Sequence, residues 1–128
     1  MDINFKREIA ATMDQAIERA TKALAAEGFG ILTRIDMHSK IKDKTGKDII
    51  PTVILGACNP MLAYEAYTAN SDVASLLPCN AVVREIAPGK VSLEFAKPTG
   101  MMKMLGDEAL VKLALEADTK IERALQNV

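Results

Sequence analysis

The residues best suited to chemistry in this chain are two cysteines, Cys58 in Gly56-Ala57-Cys58-Asn59-Pro60 and Cys79 in Leu77-Pro78-Cys79-Asn80. Each is followed by an asparagine and each has a proline close by. The repeated spelling predicts two backbone corners built alike, facing one pocket. A helix opening at Pro60 would set Cys58 just ahead of a helix N-terminus, where free N–H groups favour a thiolate. Asn59 would then hold the turn and direct its amide toward a ligand. The plainer alternative is a buried cysteine that fills a gap and an asparagine that only caps the helix. Cys79 enters a strand and has no dipole to help it. If the two strands are antiparallel neighbours, both corners share one edge of the sheet. If they are parallel, the cysteines lie at opposite ends.

Other groups offer less. Asp36 and His38 are two apart on an expected strand and so share a face. With the cysteines they are a conceivable zinc or copper set, but no close cysteine pair supports it and no metal is expected. Nor does the spacing of the cysteines match a thioredoxin-like site, so a redox pair would require the fold to bring the sulfurs into bonding reach. Tyr64 and Tyr67 lie three apart on one side of the Pro60 helix, where one of them could line the space above Cys58 with its phenol free to hydrogen-bond; the plainer alternative is that both pack at a helix–sheet boundary or a subunit contact. Lys40, Lys42, Lys44 and Lys47 form a basic cluster diluted by Asp43 and Asp48, with glycine spacing unlike a phosphate loop. Met101, Met102 and Met104 suit core or subunit packing. The chain has no Ser-His-Asp set, nucleophile elbow or dinucleotide loop, and a single histidine leaves little general-base chemistry.

The elements that must position these residues are readable in the periodicity. Ile3 to Glu8 alternate as an opening strand. Thr12, with Gln15 three residues on, starts a helix through a capping box, and Gly28 ends it. Phe29 to His38 alternate as the clearest strand, and the polar segment 39–48 extends it before turning near Gly46 as a mobile surface element. Thr52-Val53-Ile54-Leu55-Gly56-Ala57 is a continuous apolar run fit for a central strand. Asn59 caps a helix from Pro60 to about Ala69 that offers Leu62, Ala63, Ala66 and Tyr67 to the core. Val73 to Leu77 reads either as a short helix capped by Asp72 or as an extended approach to Pro78. Cys79 to Ile86 and Val91 to Phe95 are antiparallel strands about a Pro88-Gly89 turn. A short helix from Pro98 to Leu105 precedes a terminal one from about Asp107 to Gln126, whose inner stripe is Leu110, Ala114, Ala117, Ile121, Leu125 and Val128.

That order, β-α-β-β-α-β-β-α, predicts an α+β two-layer sandwich. About five strands form a mixed or antiparallel sheet with three main helices on one face. The 128 residues form a single domain, 1–128, with no internal linker. A hydrophobic fraction of 49% argues against disorder, and only 4% aromatics leaves core volume to aliphatic residues and methionine. A net charge of −1 gives no electrostatic case for nucleic acid. No apolar run is long enough for a membrane helix. The start Met1-Asp2-Ile3-Asn4-Phe5 lacks the blocks of a secretory signal, so a cytoplasmic location is expected.

Glu27-Gly28-Phe29-Gly30-Ile31-Leu32-Thr33 leading into Ile35-Asp36, then Ile54 to Pro60 with Leu62-Ala63-Tyr64, then Leu76 to Val83, resemble the small prokaryotic proteins called domain of unknown function 302. Met101 and the terminal helix resemble them more loosely, and Ala81-Val82 stands where a larger apolar pair is expected. The resemblance implies a compact two-layer α+β homodimer and secures no residue as catalytic and no cofactor. Among the residues that carry it, Asp36, Cys58, Asn59, Tyr64, Cys79 and Asn80 are the candidate ligand contacts. The leading expectation is a non-enzymatic homodimeric module that binds a small ligand near the two Cys-Asn motifs. The alternatives are a thiol-dependent redox protein or enzyme, and a structural or protein-interaction subunit. Self-association would cover a partly apolar open sheet face or an edge strand.

Overall fold

A computed structural model describes residues 3–128, so Met1 and Asp2 of the opening segment lie outside the described residues. Strands β1 (Asn4–Ala10), β2 (Gly30–Asp36), β3 (Thr52–Cys58), β4 (Cys79–Ala87) and β5 (Lys90–Ala96) form one sheet in the order β1-β5-β4-β3-β2. All four neighbouring pairs are antiparallel. Helices α1 (Met13–Ala26), α3 (Pro60–Ala69) and α5 (Glu108–Gln126) supply the second layer. The architecture is thus the two-layer α+β sandwich expected from the sequence.

One row of cross-strand partners shows how the core forms. Arg34, Leu55, Ala81, Phe95 and Phe5 stand in register across the five strands. Leu55 and Phe95 in that row are almost fully buried, beneath Ala20, Ala23 and Leu24 of α1 and Ala117 and Ile121 of α5. Phe95 meets Phe29 edge-on, with ring centroids 6.2 Å apart. The reverse face carries the row Ile35, Ile54, Val82, Glu94 and Lys6. It is apolar toward the β2 edge and charged toward β1. Glu94 there accepts from Arg84 Nε at 2.7 Å, and Lys6 Nζ lies 3.7 Å from it.

Local sequence rules place most boundaries. Thr12 and Gln15 cap α1 reciprocally. Asn59 caps α3, whose first residue is Pro60. Asp107 caps α5 by accepting from Ala109 N, and Arg7 Nη1 donates to the Leu125 carbonyl near its other end at 2.6 Å.

Three expectations need correction. First, β2 ends at Asp36, and Met37–Thr45 is helix α2, not a continued strand and turn. β3 begins only at Thr52, so β2 has no ladder partner beyond the Asp36–Val53 pair. The chain therefore winds into a helix, which Gly46 closes in the left-handed region at φ 73°. His38 consequently leaves the strand face shared with Asp36. Its Nδ1 instead accepts from the Thr52 N–H at 3.0 Å. Second, the ambiguous stretch is a 3₁₀ turn over Ser71–Leu76, capped by Asn70 and not by Asp72. The Leu77–Pro78 peptide after it is cis. Third, Tyr67 is 54% exposed, and only Ala66 of α3 is fully buried. The short helix after β5 is as expected, running as α4 (Pro98–Met102) with a 3₁₀ turn to Leu105.

Candidate functional site

Because β3 and β4 are antiparallel, the end of one and the start of the other lie side by side, with Ala57 directly opposite Cys79. The two Cys-Asn corners therefore share one edge of the sheet. Alternation along β3 sends Ala57 to the helix-covered face with Cys79, and Cys58 follows at the strand's last position, where the chain turns toward α3. Cys79 is buried, whereas Cys58 is half-buried at the strand's last position.

Both cysteines border a cavity of about 50 Å³ under α3 and α5. Its inner wall includes the buried residues Phe29, Cys79, Met102 and Leu110. Its half-buried rim includes Cys58, Asn59, Leu62 and Leu113. The space exists because α3 presents Ala63 and Ala66 where α5 presents Ala114 and Ala117, four short side chains that leave facing positions unfilled. Among the described residues no charged side chain lines it. Asp118 lies just outside, its carboxylate accepting from Thr99 N at 3.2 Å and Thr99 Oγ1 at 2.7 Å, which fastens α4 to α5.

Asn59 joins three elements at the rim. Its Oδ1 accepts from Leu62 N at 3.2 Å, and its Nδ2 donates to the Glu27 carbonyl at 3.5 Å. A side chain on Gly28 would place its Cβ 3.0 Å from Asn59 Nδ2, and Gly28 sits at φ 85°, so glycine is required there twice over. Arg123 Nη1 binds the Glu27 carboxylate at 3.1 Å and holds the same corner from α5. On the reverse face Gly56 is equally constrained. A Cβ there would run into Thr33 Oγ1 and meet Pro78 Cγ at 2.8 Å.

Of the six candidate residues, the fold brings Cys58, Asn59 and Cys79 to the cavity. Tyr64 points away from it and is 67% exposed. Asn80 is exposed and pairs with Gly56, which puts it on the reverse face from Cys79. Asp36 is at the far end of β2, paired to Arg34 at 2.8 Å, which holds its carboxyl below the usual range. Sequence reading missed Phe29, Met102, Leu110 and the facing alanines as cavity residues. Their only sequence signal is the Ala-x-x-Ala spacing at Ala63/Ala66 and Ala114/Ala117. Among the described residues no group of three or more His, Cys, Asp or Glu is placed to hold a metal ion. No described helix is long and apolar enough to cross a membrane.

The electrostatics run against an activated thiolate. Burial pushes the Cys58 thiol up, opposite to the lowering that a helix N-terminus suggested. Burial pushes Cys79 up to about 11, helped by its neighbours Cys58 and Asp118. The folded state thus holds the Cys79 proton more tightly than the unfolded chain does. Its stabilising share is fully present below the unfolded thiol value near pH 9 and is lost as pH rises through about 11. Wild type should therefore lose roughly 2–3 kcal/mol more than Cys79→Ala between these limits, measured by urea unfolding at each pH. Parallel profiles for the two proteins would contradict a buried, protonated Cys79.

Comparison with known proteins agrees with this geometry at the level of family. No curated protein matches the chain. A crystal structure of an uncharacterised conserved protein DUF302 from Bacillus stearothermophilus superposes with a TM-score of 0.91 at 30% identity, covering 99% of this chain and 98% of that one. The family model "Domain of unknown function DUF302" matches residues 5–128. With nearly the whole sequence matched, and with the sheet order and cysteine corners described above, the chain belongs to the DUF302 family.

Proposed function

We propose that the chain is a homodimeric, non-enzymatic module that binds a small ligand between its two Cys-Asn corners. The observation that carries this reading is the apolar cavity bordered by Cys58, Asn59 and Cys79. The hollow leaves apolar side chains facing each other without filling contacts, and one side-chain enlargement on α3 or α5 would fill it. Tyr64 and Asn80 are assigned to the surroundings of the cavity and not to its lining, and Asp36 takes no part. The thiol-dependent alternative loses support because both cysteines titrate upward, whereas a nucleophile or redox couple at neutral pH needs a lowered one.

Self-association is favoured by β2, an edge strand that leaves Leu32 63% and Ile35 39% exposed beside Ile54 and Val82. A second copy laid against this edge would cover the apolar side of the open face. Native mass spectrometry under mild reducing conditions tests both parts. The expected species is twice 13.8 kDa, with a small added mass that denaturation removes. Leu32→Lys, a charge on the exposed edge, should return the protein to a monomer. A monomer at every concentration would sink the dimer, and identical native and denatured subunit masses would count against a retained ligand.

A further inference from the structure

Resting on the reading of this cavity as a ligand site, we propose that its occupant is the unbranched alkyl end of a short-chain aliphatic compound, with roughly three to five carbons inside and the polar group at the rim. The lining sets the chemistry. With no charged side chain facing the space among the described residues, a charged or strongly polar group would be desolvated there without a partner. No buried polar side-chain atom among the described residues lacks a hydrogen bond, so nothing inside waits for a polar ligand atom. Cys79 and Met102 present sulfur as soft apolar surface.

The size sets the length. A water-sized sphere needs about 10–15 Å³ by this measure, so about 50 Å³ holds roughly four. Benzene occupies an apolar cavity of about 150 Å³, roughly three times this space, so a ring is not expected to fit. The rim sets the orientation. Polar atoms near the cavity are concentrated at Asn59, where Oδ1 is committed to Leu62 N. Nδ2 is held only at 3.5 Å to the Glu27 carbonyl and keeps donor capacity for a hydroxyl or carbonyl outside.

The test is an NMR titration of protein labelled at the methionine methyls, using 1-propanol, 1-butanol, 1-pentanol and benzene. Met102 reports on the cavity, and exposed Met61 and Met104 report on non-specific solvent effects. The expected result is a saturable shift confined to Met102, tightening about fourfold per added methylene. Ala114→Leu should abolish it by filling the space. Ala63→Leu at the rim is a second filler should the first not fold. Saturation by benzene but not by the alcohols would overturn the alkyl assignment and leave the cavity a ligand site. No saturation of Met102 by any probe, in folded protein, would overturn both. Saturation that persists in a folded filler variant would place binding elsewhere and overturn the assignment.

Discussion

Phe95→Ala should lower unfolding stability by about 3–5 kcal/mol, among the largest losses available to one side chain here. Phe95 is 1% exposed and stands between Phe5 and Ala81 in the central cross-strand row. Truncation removes its apolar transfer energy and leaves a hole that β5 cannot close, because backbone bonds to β1 and β4 fix it on both sides. It also strips Phe29 of its edge-on partner, and Phe29 forms part of the cavity wall. Phe95→Leu, which restores most of the volume, should lose only about 1–1.5 kcal/mol. Urea unfolding at one fixed protein concentration measures both, since self-association makes apparent stability depend on concentration. A loss under about 1 kcal/mol for Phe95→Ala would mean that Phe95 is not the packed centre of the sheet.

What the sequence shows of this fold is whatever local chemistry settles. The Thr12/Gln15 box, Pro60 behind Asn59, Gly28 at positive φ and the alternation of β5 each follow from residues within one turn or one strand. Helix α2 is illegible for the opposite reason. Among its nine residues none is fully buried, so no apolar stripe announces it, and the alternation of β2 runs on through His38 in spelling alone. Only the start of β3 at Thr52 decides where β2 stops.

The site divides in the same way. That Cys58 precedes a helix N-terminus is local and readable, but how strongly burial raises its thiol depends on the residues that the fold packs around it. That Cys79 joins the same edge depends on strand order, which either direction of the α3 connection allowed. The cavity is the least legible feature, because it is a shortage of volume between two helices whose facing alanines stand 51 positions apart in the chain. Ala63, Ala66, Ala114 and Ala117 look like ordinary core positions until α3 and α5 are set face to face.

Leu110→Ala tests that arrangement from its inner wall, and its cost should fall in the upper part of the 2–5 kcal/mol range for such truncations. Leu110 is fully buried, packed with Ala66, Val73, Met102 and Ala114. A site next to an existing void has little means of collapsing, since the Thr99–Asp118 bonds and the Asn59 corner fix α4, α5 and α3 around it. The new hole should merge with the old one and become large enough for a ring. Benzene, excluded from the wild-type cavity, should then stabilise Leu110→Ala by about 1.4 kcal/mol at ten times its Kd, and leave wild type unchanged. Thermal unfolding with and without benzene measures both effects. The pairing of a large loss with a ligand-specific recovery separates a cavity wall from any other buried leucine. If Leu110→Ala is destabilised but indifferent to benzene, the two spaces are not continuous and the alanines of α3 and α5 do not frame a site.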